Sequence, residues 1–153
     1  MKTNVMRLLE INAIDYQGHE IDVSSRDSGE EVARKLGVDP ARVFKTLLTE
    51  SERKYYVFMV PVDKNLNLKK ASQVAGEKKL CMLPEKKLLP LTGYVHGGCS
   101  PLGMKKVFPS FLHRTCKNFS TIFFSAGRVG YQVEMDYRDL EKFLDIQLAD
   151  LVN

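Results

Sequence analysis

An α+β domain is the fold class this chain predicts, on three observations. Short apolar runs of strand length mix with segments carrying helix start and stop signals, without a strict β-α-β rhythm. Two runs, residues 43–49 and 55–62, flank Glu50-Ser51-Glu52-Arg53-Lys54, a polar stretch that reads as a hairpin turn. A length of 153 residues with 44% apolar content suits one domain, spanning 1–153, with a core of its own.

The elements follow in order. Thr3 can cap a helix running to Asn12, with Val5, Leu8, Leu9 and Ile11 on one face. Ile14-Asp15-Tyr16 starts an extended segment that continues past Gly18 to Val23. Ser28-Gly29-Glu30-Glu31 is a capping box, and the helix it opens stops at Gly37. Asp39-Pro40 opens one short turn before the first hairpin strand. A helix over 68–75 closes at Gly76, a short strand covers 80–82, and Pro84 opens a helix through Leu89. Strands are predicted over 107–112, 121–125 and 131–135, with Gly127-Arg128-Val129-Gly130 as the turn between the last two. Asp136 caps a final helix over 137–144, and residues 146–148 add a short strand.

Composition narrows the functional classes. No apolar run approaches the roughly 20 residues a membrane helix needs, and no signal-peptide h-region follows the N-terminal Met-Lys-Thr-Asn-Val, so a cytoplasmic protein with no membrane partner is expected. Three cysteines without a C-x-x-C pair read as reduced thiols, and three scattered histidines predict no metal site. Charge is uneven. Residues 64–106 carry nine lysines against Glu77 and Glu85, whereas 136–153 are net acidic. Paired lysines such as Lys69-Lys70 and Lys105-Lys106 suit a phosphate-rich partner, although lysines also simply solvate helix faces.

Two stretches stand out. Gly93-Tyr94-Val95-His96-Gly97-Gly98-Cys99-Ser100-Pro101-Leu102-Gly103-Met104-Lys105-Lys106 holds four glycines, more than a chain reversal requires. Such density lets backbone amides approach a ligand, while the plainer alternative is a mobile surface connection. The second is Val43-Phe44-Lys45-Thr46-Leu47-Leu48, where a lysine interrupts a strand that is apolar on both faces. Lys45 either snorkels to an edge or places a cation beside a cavity, where with the Gly97 and Gly98 amides it would stabilise an oxyanion. There is no G-x-S-x-G elbow and no Walker motif, and Cys99 has no neighbouring base to make it a nucleophile.

Phe44-Lys45-Thr46-Leu47, Val60-Pro61-Val62, Leu68-Lys69-Lys70 and the run from Leu91 to Gly103 together resemble the YbaK/EbsC family. These are freestanding aminoacyl-tRNA editing proteins related to the insertion domain of bacterial prolyl-tRNA synthetase. The resemblance implies a mixed, barrel-like sheet flanked by helices, and hydrolysis of mischarged tRNA without a cofactor or metal: cysteine from Cys-tRNA(Pro), or alanine from Ala-tRNA(Pro). Such editing is needed because a pocket separates amino acids one methylene apart by only about 1–3 kcal/mol. It also implies an aminoacyl-tRNA substrate and prolyl-tRNA synthetase as partner.

Carried over by position, Lys45 is the central lysine beside the ester and Gly97, Gly98 and Ser100 lie in the loop facing the aminoacyl group. Tyr16, Thr46, Ser125 and Gln132 would line the substrate pocket. Lys69, Lys70, Lys105 and Lys106 would meet tRNA phosphates, contacts that position without reading sequence. The attacking group would be water or the substrate's own thiol. Two departures are visible: Ala126 in a turn that usually reads S-G-G, and Gln132 where the family commonly carries an aspartate. Gln132 keeps open a deacylase for another amino acid and a non-catalytic module that binds tRNA or a synthetase; a small-molecule-binding regulator is a third class with no positive feature in the sequence.

Overall fold

The computed structural model describes all residues 1–153. The elements run α1 (Asn4–Ile11), β1 (Gln17–Glu20), α2 (Gly29–Leu36), β2 (Phe44–Glu50), β3 (Tyr55–Pro61), α3 (Leu68–Ala75) and β4 (Cys81–Met82). They continue with α4 (Glu85–Thr92), β5 (Ser110–His113), β6 (Ile122–Ser125), β7 (Tyr131–Met135), α5 (Tyr137–Leu144) and β8 (Gln147–Ala149). Short 3-10 turns at Pro40–Arg42 and Arg114–Asn118 complete the chain. No helix is long and apolar enough to cross a membrane.

The mixed α+β class holds, with the strands in two open sheets rather than the barrel-like sheet the resemblance implied. One sheet has the order β1-β7-β6, all antiparallel, and the other the order β4-β2-β3-β5-β8. Within the larger sheet β2 and β3 form the hairpin, and β3-β5 and β5-β8 run parallel. A single parallel bridge ties Val43, the residue before β2, to Phe123 of β6.

The consequence for the site lies on the outer edge of β2. β6 touches that edge at Val43, and two-residue β4 pairs with it only at Thr49 and Glu50. Between these contacts no strand ladder covers the edge.

Local chemistry explains most boundaries. The Thr3, Ser28, Asn67 and Asp136 side chains each accept a backbone N–H at the start of a helix, and Gly37 and Gly76 end theirs in the left-handed conformation. The largest core cluster packs α1, β6, β7 and α5 around Phe44, Met59, Leu102 and Phe124; a second lies between β3, α3 and β5.

Several expectations shift. On α1 the buried stripe is Val5, Met6 and Leu9, while Ile11 is 81% exposed, because it falls about 140° off the middle of the stripe through Val5 and Leu9. The first extended segment forms a ladder only over Gln17–Glu20. Helix α4 runs on to Thr92 with Pro90 inside its last turn. Residues 107–109 are not strand: Val107 is almost wholly exposed, and β5 starts only after Pro109, which lacks an N–H to donate.

Candidate active site

Lys45, Thr46, Gly97, Cys99, Ser125 and Gln132 wall one cavity of about 360 Å³ on the open edge of β2. The strand register brings Ser125 and Gln132 together, since they are cross-strand partners in β6 and β7. Beyond them the wall comes from Leu88 of α4, from His96, and from residues in the 23–29 stretch with Val32 of α2.

Lys45 is half-buried and has neither a hydrogen-bond partner nor an ion pair within the chain. Burial lowers its pKa, opposed by the fields of Glu30 and Asp63. An ammonium held in this way keeps all three of its N–H donors for whatever enters.

Two oxygens of the lining residues are also unspent. Thr46 Oγ1 and Gln132 Oε1 are buried without a partner, and Gln132 as a whole is only 7% exposed. A buried polar atom left unpaired costs about 1–3 kcal/mol, so two bordering one cavity mark where a donor is received.

The glycine stretch is a self-packed loop and not a slack connection. At its base Lys105 N donates to Thr92 O at 3.1 Å and Tyr94 N to Thr92 Oγ1 at 3.0 Å. Inside it the Tyr94 hydroxyl donates to Leu102 O, and Leu102 is fully buried. Gly97, at φ +84°, has no room for a side chain: a Cβ there would lie 3.0 Å from Ser25 Cα.

The loop's donors differ from those expected. Gly98 N is committed to Val95 O at 3.0 Å, and Gly98 is buried outside the cavity wall against Arg128 and Val129. Within the wall the loop residues are Gly97 and Cys99, and neither amide donates a hydrogen bond within the chain. The Cys99 thiol is pushed up to about 12 by burial, which leaves it protonated and poorly nucleophilic at neutral pH.

Other expected site residues lie elsewhere. Tyr16 does not reach the cavity; its hydroxyl donates to Glu10 of α1 at 2.5 Å. Ser100 is fully buried, and its Oγ accepts Leu102 N at 3.3 Å, a loop-shaping contact. Ser125 lines the wall while its Oγ accepts Gly127 N at 3.1 Å. The four lysines do not converge. Lys70 donates to Asp150 at 2.8 Å and to Val152 O beside a second cavity, Lys69 is exposed on α3, and Lys105 and Lys106 stand at the end of the glycine loop. The part of the wall from Val23 to Asp27 carries no signal in the sequence, because it is a loop without a periodic pattern, whereas Ser28 and Gly29 belong to the capping box that opens α2.

Comparison with known proteins identifies the class. The model of the aminoacyl-tRNA editing domain matches residues 24–143, and the chain belongs to that family. Within it, the chain is 39% identical over 152 residues to an Enterococcus faecalis protein named "Putative Cys-tRNA(Pro)/Cys-tRNA(Cys) deacylase EbsC", covering 98% of this chain and 93% of that one. A proline–tRNA ligase of Desulforamulus reducens is 28% identical over 88 residues, 58% of this chain but 16% of the ligase. Among solved structures, one titled as a "putative trans-editing enzyme for prolyl tRNA synthetase" superposes at a TM-score of 0.85 and 23% identity, covering 100% of this chain and 99% of that one. That likeness is one of fold.

Proposed function

We propose that this chain is an aminoacyl-tRNA deacylase that clears mischarged tRNA in trans. One observation carries the reading: an unpartnered ammonium, two uncommitted loop amides and two unpaired oxygens wall a single cavity of about 360 Å³. An aminoacyl ester has the matching groups, a carbonyl that becomes an oxyanion and an α-ammonium that donates.

In this reading Lys45 and the amides of Gly97 and Cys99 polarise the ester carbonyl and hold the oxyanion of the tetrahedral intermediate. Gln132 Oε1 and Thr46 Oγ1 accept hydrogen bonds from the α-ammonium and fix the acyl group against the loop. Water, or the thiol of a cysteinyl substrate, attacks the carbonyl carbon; the ribose oxygen leaves and takes up the proton. The enzyme supplies position and electrostatics rather than a nucleophile, which agrees with the protonated Cys99 thiol. Cysteine is the leading substrate, supported by the name of the full-length relative. The partial similarity to proline–tRNA ligases supports tRNA(Pro) as the carrier and prolyl-tRNA synthetase as the partner that selects it.

The test is single-turnover release of cysteine and of alanine from charged tRNA(Pro) by wild type and Lys45→Ala. Release by wild type with a loss of about 100-fold or more in the variant is expected. A wild type that releases neither amino acid, yet binds uncharged tRNA, would leave the non-catalytic module as the better account.

A further inference from the structure

Behind the glycine loop lies a groove of about 500 Å³ bordered by α1, the loop's two ends and the β6-β7 turn. Its lining includes Lys2, Arg7, Lys105 and Arg128, and no aspartate or glutamate. Three of these cations have no carboxylate partner. Arg7 donates only to Asn4 Oδ1 at 3.2 Å, and Lys105 reaches only Pro90 O at 3.5 Å. Arg128 lies over the Tyr131 ring at 5.8 Å with Met1 Sδ beside it at 3.7 Å. The fourth, Lys2, is held by Glu10 at 2.7 Å.

The groove and the cavity share their partition. Tyr94, Gly103 and Lys105 face the groove while His96, Gly97 and Cys99 of the same loop face the cavity. Likewise Ala126, Gly127 and Arg128 border the groove, and Ser125 and Gly130 of the same turn border the cavity. A ligand seated on the cations therefore lies one loop's thickness from the acyl site.

We infer that this groove seats the phosphodiester backbone of an RNA substrate and orients its acylated end toward the cavity. Three cations without counter-charges on one concave surface suit a chain of evenly spaced phosphates, whose bound counterions they release. The inference rests on the deacylase reading for the direction of the bound RNA, but its binding part is tested separately. Of the lysines picked out by pairing in the sequence, only Lys105 contributes. Arg7 and Arg128 are isolated in sequence and are gathered by the packing of α1 against the β6-β7 turn.

The experiment measures binding of uncharged tRNA(Pro) transcript across a salt series by fluorescence anisotropy. The proteins are wild type, the triple variant Arg7→Gln/Lys105→Gln/Arg128→Gln, and a charge-matched control, Lys79→Gln/Lys117→Gln/Lys142→Gln, whose residues are exposed outside the groove. The groove variant should bind at least about tenfold more weakly and lower the slope of log K against log salt by about 2–3, at 0.7–0.9 per lost contact. Arg7→Lys/Arg128→Lys should restore the slope and so exclude misfolding. Equal losses in the groove and control variants, or none in the groove variant, would overturn the assignment. Wild-type release of the amino acid is scored on its own: if it is absent while groove-dependent binding persists, the deacylase reading fails and the RNA site stands.

Discussion

Lys45 and Lys70 are both partly buried lysines at the rim of a cavity, and the chain uses them in opposite ways. Lys70 has its donors occupied by the Asp150 carboxylate and the Val152 carbonyl, with Arg114 bringing a second cation to Asp150 at 3.6 Å. It fastens the C-terminal segment to α3. Lys45 has no such partner, sits where burial lowers its pKa, and shares its cavity with two unpaired oxygens. Satisfied polar groups stabilise a fold, whereas unsatisfied ones cost stability and are kept where a ligand supplies the missing partner.

The sharpest way to break this contrast is to replace each lysine by methionine, which keeps the stem and removes the charge. Lys45→Met should lower single-turnover deacylation by about 100- to 1,000-fold, and urea melts should show it at least as stable as wild type. The sign follows from linkage: with its native pKa below the unfolded value, charged Lys45 disfavours the folded state at neutral pH, and the penalty fades as pH rises toward the unfolded value of about 10.4. Lys70→Met should lower the melting temperature slightly instead, by about 2 °C, as befits a pair one-third exposed.

Gly97→Ala comes next. A left-handed non-glycine residue costs about 1–2 kcal/mol, and the new methyl would press on Ser25 backbone, so the loop must shift. Deacylation should fall by about 100-fold, since a displacement near 1 Å is enough for that. Thr46→Val is milder. It removes one unpaired oxygen at nearly constant volume, so stability should rise by about 1 kcal/mol in urea melts while kcat/KM falls by about tenfold.

The smallest effect belongs to the second cavity, which His113 lines with Lys70. His113 is buried, its Nδ1 accepts Leu151 N at 3.1 Å, and burial lowers its pKa despite the nearby Asp150. The unfolded chain therefore takes up a proton first as pH falls below about 6.5, and folding stability should decline from there through the lower native value. His113→Asn retains an acceptor and should flatten that slope in denaturant melts at pH 5 to 7.

Much of this was legible in the sequence where the physics is local. The caps at Ser28 and Asp136 and the stops at Gly37 and Gly76 are decided by a few neighbouring residues, and the hairpin by one polar turn. Lys45 stood out because a charge in an apolar strand is anomalous wherever the strand lies. What escaped depends on distant packing or on one backbone bond. In sequence Gly98 is as available as Gly97, but its amide closes a turn onto Val95. Tyr16 is near β1, yet its hydroxyl swings to α1 and Glu10. Lysine pairing favoured Lys69-Lys70, but neighbours on a helix diverge by 100°, and Lys70 was claimed by an acid 80 residues later.

The stub of β4 has a consequence for how such a domain can change its substrate. Because the ladder stops after Thr49 and Glu50, the rim of β2 offers main-chain groups that most side-chain substitutions leave in place, ringed by side chains that can be exchanged one at a time. Gln132 stands in that ring, set in register by Ser125 across β6 and β7. A docking frame built of peptide bonds and tuned by its fringe can acquire a new preference while the sheet that carries it is conserved.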